Sequence, residues 1–337
     1  MSAQRPWVWP LVPVYAAAQA LQNALRPRPQ ILQRPVVSVG SISAGGAGKT
    51  PVVLALAELL TQHHLSFDIL SRGYGRQSKA VLRVEPEAPG AARRFGDEPT
   101  LLARLTQAPV WVGASRFAAG QAAEQAAAQY GLPALHLLDD GFQHRRLARA
   151  LDLVLLTRED LDDALLPAGN RREPLTALRR ASALLLRQDE RDEVIPCLKE
   201  LLPAPPPLWI LRRQLHFDTQ LSILGAGLRP LAFCAIARPT DFSASVQAAG
   251  CGLVDTLYFP DHHTYTPADI QTILDTARRL NASGFVTTEK DAVKLPPALR
   301  EPLEAFGPLL VPALRVGFGD PQQVLDTLRA LLQESHA

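Results

Sequence analysis

The stretch Val39-Gly40-Ser41-Ile42-Ser43-Ala44-Gly45-Gly46-Ala47-Gly48-Lys49-Thr50-Pro51 decides the fold class of this chain. The apolar run Pro35-Val36-Val37-Ser38-Val39 leads into it and reads as a strand, and residues 51–63 follow it as a helix. A glycine-rich turn between a strand and a helix lets backbone N–H groups face inward on an anion at the helix start. Gly45, Gly46 and Gly48 supply the permissive backbone, and Ser43, Ala44 and Ala47 complete the cradle. Lys49 then reaches β- and γ-phosphates and the Thr50 hydroxyl suits Mg²⁺, so the segment implies a bound nucleoside triphosphate. The pattern G-x-x-x-x-G-K-[ST] is met with one exception, Ser43 in place of the first glycine. Of the 35 Lys and Arg residues only five are Lys, which adds a little weight to Lys49 as a choice of compact, flexible ammonium.

Outward from this loop, Phe67-Asp68-Ile69-Leu70-Ser71, residues 108–112, residues 134–138 and residues 151–156 are apolar runs of the kind found in buried parallel strands. Helical patterns at 98–107 and 116–130 separate them, and 183–186 offers one more strand. This βαβ rhythm predicts an α/β fold of the P-loop NTPase type, a doubly wound sheet in three layers (α/β/α) with the strand ends and the phosphate loop on one edge. Pro203-Ala204-Pro205-Pro206-Pro207 is the clearest shift in composition and reads as a stiff connector. Beyond it come a long strand at 208–217 and a second α/β series. Its strands are expected at 230–236, 253–259, 284–287 and 309–311, and its helices at 239–249, 267–280 and 321–332. The expected organisation is an N-terminal helix in 1–35, a phosphate-loop domain in 36–207 and a second, smaller α/β lobe in 208–337.

With 337 residues, 47% of them apolar and 20% charged, the chain is long enough for two packed cores, and large-scale disorder is not expected. A formal charge of +2 gives no global case for nucleic acid. The charge is unevenly placed, because no Asp or Glu precedes Glu58 while Arg5, Arg26, Arg28, Arg34 and Lys49 all do, which favours an anionic surface near this end. The three cysteines, Cys197, Cys234 and Cys251, are widely spaced and form neither a C-x-x-C pair nor a disulfide framework. Residues 6–25 carry no charge and include Trp7, Trp9, Leu11, Val14, Tyr15 and Leu21. Pro6, Pro10 and Pro13 count against a membrane-spanning helix, and export would separate the phosphate loop from its nucleotide. An interfacial helix, with its aromatic rings at headgroup depth, is the favoured reading, and ordinary packing onto the domain is its competitor.

Several further segments carry chemistry. Residues 134–138 run into Asp139-Asp140-Gly141-Phe142-Gln143-His144, a strand that ends in two carboxylates, where a phosphate-loop protein places a Mg²⁺-binding acid. Gly96-Asp97-Glu98-Pro99 places two more acids at a helix start, where capping is the structural explanation for Asp97. Phe259-Pro260-Asp261-His262-His263 follows a strand. Its adjacent imidazoles suggest a metal site without a visible third ligand, or a His that orients a carboxylate base. Ser71-Arg72-Gly73-Tyr74-Gly75-Arg76 and Arg171-Arg172-Glu173-Pro174 offer guanidinium groups in turns, and Thr288-Glu289-Lys290-Asp291-Ala292-Val293-Lys294 closes a strand in the second lobe as a capped, charged helix.

Taken in order, these segments resemble the tetraacyldisaccharide 4'-kinases, the lipid A 4'-kinases of Gram-negative bacteria. The likeness runs through 39–51, 71–76, 96–99, 139–144, 172–174, 259–263 and 288–294, and so covers nearly the whole chain. Ser41 stands where the family usually has Asn, and Asn170 where it usually has Pro. The resemblance implies two α/β/α lobes joined by a β-strand hinge and closing over nucleotide. It implies transfer of the ATP γ-phosphate to the 4'-hydroxyl of an acylated glucosamine disaccharide 1-phosphate, giving lipid IVA. Residues 43–50 then hold ATP, and Thr50, Glu98 and Asp139 are candidates for Mg²⁺. Asp97 is the candidate base, oriented by His262, with Lys49, Asp139 and Asp140 in the catalytic group. Arg72, Tyr74, Arg116, Arg172 and Glu173 are candidates for the substrate. A lipid acceptor also accounts for the aromatic N-terminus, so the expected location is peripheral (monotopic), at the cytoplasmic face of the inner membrane, with lipid rather than nucleic acid as partner. The rival reading is a partner-regulated P-loop ATPase switch of the deviant Walker type; such proteins carry a signature Lys just before the glycine pair, where this chain has Ala44.

Overall fold

The computed structural model describes residues 5–25, 27–44, 48–76, 78–217, 229–236, 239–260, 263–292 and 294–334. The chain divides into two compact units, one formed by residues 1–212 and 316–337 and the other by residues 213–315. The sequence reading placed the division at 207 and gave the whole remainder to the second lobe. The proline run 203–207 lies within the first unit, between the helix Arg191–Leu201 and a strand, so it does not join the two units.

The first unit is built on nine strands: β1 (Val36–Ser41), β2 (Phe67–Ser71), β3 (Leu82–Arg83), β4 (Val110–Val112), β5 (Leu135–Asp139), β6 (Leu151–Leu156), β7 (Ala183–Arg187), β8 (Leu208–His216) and, late in the chain, β13 (Ala313–Phe318). Their order across the sheet is β13-β8-β7-β6-β1-β5-β2-β4-β3. Every pairing from β8 to β4 is parallel, and the two-residue β3 runs antiparallel to β4. Parallel strands need crossovers on both faces, so their side chains are apolar on both sides. Alternate residues divide accordingly: Val37, Val39, Ile69, Leu135, Leu137, Leu153 and Leu155 enter one core with Leu56 and Leu60 of the helix Lys49–Gln62. Val36, Leu70 and Leu138 enter a second core with the helix Arg116–Gln125, and Val154 and Leu156 a third with the helix Arg191–Leu201. Leu56 and Leu60 are fully enclosed, so truncating either to Ala would cost about 2–5 kcal/mol. The helix Pro321–Glu334 adds Val324 and Leu328 to the first core, which is why the C-terminus belongs to this unit.

The smaller unit carries a four-stranded sheet of β9 (Leu231–Cys234), β10 (Asp255–Tyr258), β11 (Phe285–Val286) and β12 (Leu309–Leu310), parallel throughout in the order β10-β9-β11-β12. Phe233 and Phe285 face one core, with Ile273 and Leu303. Ala232, Cys234 and Val286 face another, with Val246. The sequence reading had no helix at Arg191–Leu201 or Pro297–Phe306, both of which carry an internal proline, and no strand at β3 or β13.

Candidate active site

Because β1 lies between β5 and β6, the loops that follow β1 and β5 leave the same edge of the sheet side by side. Val39 and Asp139 are register partners, so the start of the phosphate loop and the Asp139-Asp140 pair are neighbours by construction. Gly48 caps the helix Lys49–Gln62 with φ 88, a left-handed conformation that favours glycine. The Lys49 ammonium, on the first turn, donates to Ser41 Oγ at 3.3 Å and lies 3.5 Å from Asp140 Oδ1. Asp140 has φ 49, a left-handed turn that Asp tolerates, and its other oxygen accepts from Arg172 Nη1 at 3.0 Å. Arg172 Nη1 also reaches Gln143 Oε1 at 3.3 Å, and Gln143 Nε2 donates to the Ser41 carbonyl at 2.7 Å.

These groups open onto a cleft of about 1240 Å³ whose lining includes Lys49, Thr50, Asp97, Glu98, Asp139 and Asp140. The same wall carries Arg72, Tyr74, Arg116, His144, Arg145, Arg146 and Arg172. The cleft exceeds the usual size of a single small-molecule site, so it has room for a nucleotide and part of a second substrate. The two adjacent acids differ in state. Burial, with Glu98 and Asp140 close by, pushes Asp139 up to about 7, against the pull of Lys49 and the Ser71 hydroxyl that donates to it at 3.4 Å. Burial would also raise Asp140, but Lys49 and Arg172 outweigh it and hold that carboxyl below the usual range. Burial and the neighbouring Arg72 lower Arg116 to about 10, and burial together with Arg116, Arg149, Arg146 and Arg72 lowers His144 to about 4. An uncharged imidazole thus sits in a group of guanidiniums, a setting that selects for anions.

Two of the flanking turns are held together by backbone contact. A Cβ on Gly73 would come within 2.7 Å of the Phe95 carbonyl, and one on Gly96 within 3.1 Å of the Tyr74 carbonyl. The turn carrying Arg72 and Tyr74 therefore lies directly against the helix start carrying Asp97 and Glu98. Asp97 does not cap this helix as the sequence suggested. Gly96 occupies the cap position without a side-chain bond, and Asp97 is the first helical residue, exposed to the cleft.

Several neighbouring groups have partners within the protein. The Ser43 hydroxyl turns into the protein and donates to buried Asp160, while the backbone N–H of Ala44 donates to the Asn170 carbonyl at 2.7 Å, so both hold the loop's approach to the segment 163–174. Glu173 borders the cleft, but its carboxylate is buried and forked by Arg180 at 2.9 and 3.2 Å, which makes it a support of the wall. His263 is used structurally, 2.9 Å from Asp269, which is itself part of a capping box. Asp291 is buried beneath Thr288 and Lys294 and accepts from the Ala235 N–H, so the 288–294 segment anchors the smaller unit. Gly45, Gly46, Ala47 and His262 lie outside the described residues. Among the described residues no cluster of three or more His, Cys, Asp or Glu side chains forms a ready metal cage. The sequence reading missed Tyr15, Gln19, Gln143, His144, Arg145 and Arg146 as cleft residues. Gln143 and His144 sit in a motif already singled out, and Tyr15 with Gln19 forms an i, i+4 polar pair on the uncharged helix Val12–Ala24.

The family model for tetraacyldisaccharide-1-P 4'-kinase (LpxK) matches residues 4–333. The chain belongs to this kinase family. Among similar curated proteins, tetraacyldisaccharide 4'-kinase of Koribacter versatilis is 41% identical over 96% of this chain and 98% of its own. The protein of that name from Rhodospirillum centenum is 40% identical over 83% and 79%. A crystal structure of LpxK from Aquifex aeolicus, an "apo" form in complex with ATP, superposes with a TM-score of 0.66 at 28% identity, covering 97% of this chain and 98% of that one. Membership of the tetraacyldisaccharide-1-P 4'-kinase family replaces the reading as a partner-regulated ATPase switch.

Proposed function

We propose that this chain transfers the γ-phosphate of ATP to the 4'-hydroxyl of a tetraacylated glucosamine disaccharide 1-phosphate, giving lipid IVA. The observation that carries the reading is that one cleft holds the phosphate-loop helix start, the carboxylates of Asp97, Glu98, Asp139 and Asp140, and a group of guanidiniums. Lys49 and Thr50 hold the nucleotide's phosphates together with the Gly45–Gly48 backbone. Mg²⁺ suits the donor set, because a carboxylate held near neutrality by burial and by neighbouring acids gains most from a divalent cation. Thr50, Asp139 and Glu98 would hold it, with phosphate and water as its remaining ligands. When bound, it neutralises charge on the phosphates.

Asp97 is the base. It stands exposed on the cleft wall without a capping bond, free to accept the proton a sugar hydroxyl loses as it attacks. Arg72, Arg116 and Arg172 neutralise phosphate charge, and Tyr74, 86% exposed, offers a ring to the sugar. The N-terminal helix meets the lipid. No described helix is long and apolar enough to cross a membrane. Instead Trp7, Leu11, Val14, Leu21 and Leu25 form an exposed stripe, while Val8 packs against Ala164 and Ala168. This is the profile of a peripheral interfacial element. The deciding assay follows labelled γ-phosphate from ATP: appearance on the acylated disaccharide supports the reading, and release only as free phosphate overturns it.

A further inference from the structure

The residue Arg172 joins four parts of the larger unit at once. Its N–H donates to the Ile42 carbonyl at 2.7 Å, tying it to the exit of β1. Its guanidinium holds Asp140 and Gln143, and through Asp140 it is one step from Lys49. Its carbonyl receives two donors from the helix Val12–Ala24, Tyr15 Oη at 3.0 Å and Gln19 Nε2. Tyr15 and Gln19 are one helical turn apart, on the side of the helix that lines the cleft. The opposite side carries the exposed Val14 and Leu21. A helix that only anchors the protein needs apolar contacts such as that of Val8 with Ala164, not two donors on the carbonyl of a residue whose side chain holds the lysine's partner.

We propose that Tyr15 and Gln19 are positioning residues for phosphoryl transfer: they hold the Arg172 main chain so that its guanidinium keeps Asp140 in place beside Lys49. The helix that faces the lipid thereby sets the geometry of the phosphate site, and its docked position is a condition for full turnover. The inference rests on the cleft being the kinase site proposed above.

The test is a double-mutant cycle on the full chain in mixed micelles with acylated disaccharide 1-phosphate and ATP, both saturating. Tyr15→Phe combined with Gln19→Leu removes both donors and keeps the packing volume. It is expected to lower kcat about tenfold, the effect of losing two hydrogen bonds read as a rate. Vesicle co-sedimentation and the KM for the acceptor are expected to stay within about twofold, because both donors are already spent on the Arg172 carbonyl. Arg172→Ala leaves the carbonyl and its two bonds in place but breaks the link to Asp140. In that background the Tyr15/Gln19 changes are therefore expected to have no further effect on kcat. An unchanged kcat in the first variant, or the same fold loss in both backgrounds, overturns the proposal and leaves the helix as an anchor. Should the wild-type chain fail to label the disaccharide at all, the proposed activity fails first, which separates the two outcomes.

Discussion

Gly73 and Gly75 both have positive φ, 66 and 75, yet only one of them is hemmed in, and this allows a controlled test of how the two cleft turns are held. A Cβ at Gly75 meets nothing within 4 Å, so Gly75→Ala bears only the cost of a left-handed non-glycine residue, about 1–2 kcal/mol. At Gly73 the new Cβ lies 2.7 Å from the Phe95 carbonyl, a backbone atom at the foot of the helix that begins with Asp97, and 2.6 Å from Arg76 Cδ. The arginine stem can swing away, but the carbonyl cannot move without moving Asp97 and Glu98. Overpacking of this kind adds about 1–3 kcal/mol. Gly73→Ala is therefore expected to lower the melting temperature more than Gly75→Ala, by several degrees at about 2–4 °C per kcal/mol. The kinetic contrast should be larger. Displacing the base-bearing helix start by a fraction of an ångström to 1 Å should reduce kcat on the order of 10- to 100-fold in Gly73→Ala, whereas Gly75→Ala leaves that helix where it is. Differential scanning fluorimetry and steady-state turnover of the two purified variants settle the matter. Equal melting temperatures and equal kcat values in the two would refute the claim that backbone contact between these turns positions the site.

Three further outcomes follow from the same geometry. Asp97→Ala is expected to slow transfer about 10²–10⁴-fold while ATP still binds, measured by single-turnover transfer beside nucleotide titration; wild-type turnover at saturating ATP would remove Asp97 as base. Deleting residues 1–25 is expected to reduce vesicle association and lipid turnover more than ATP affinity, and an equal loss of both would count against a lipid-facing role. Burial alone would lower buried His136, but its contacts with Asp68 at 2.6 Å and Glu124 at 3.4 Å raise it to about 9. Its contribution, on the order of 3 kcal/mol, is then present below the unfolded value near 6.5 and lost as the pH rises through about 9. Thermal melts between pH 6.5 and 9 should fall more steeply for the wild type than for His136→Gln, and parallel curves would show that the imidazolium is not what stabilises this part of the sheet.

Much of the architecture could be read directly from the residues. The strands at 67–71 and 151–156 match the expected bounds because parallel strands covered on both faces are written as unbroken apolar runs, whereas the helix expected at 51–63 begins two residues earlier, at Lys49. What stayed hidden depends on partners far along the chain. Nothing in the sequence around Ser43 tells that Asp160, distant along the chain, takes its hydroxyl. Asp97 looks like a cap because only the backbone of Gly96 reveals which residue is first in the helix. Arg172 matters as much for its carbonyl as for its side chain, and a sequence does not announce the use of a main-chain atom. The strand β13 escaped notice because it belongs to a sheet whose neighbouring strand, β8, lies a hundred residues upstream.

That same strand bears on how the protein is made. The smaller unit is an insertion between β8 and β13, so the larger unit is synthesised in two instalments with about a hundred residues between them. While the chain emerges from the ribosome, β8 has β7 on one side and no neighbour on the other, and the core that receives Val324 and Leu328 stands open. The insertion, with its own two apolar cores, can become compact first, and the catalytic unit closes only when the final helix is released. A nonsense mutation between the codons for Phe318 and Val324 would thus spare the part of the protein just before it in sequence and strike the nucleotide domain that began folding three hundred residues earlier.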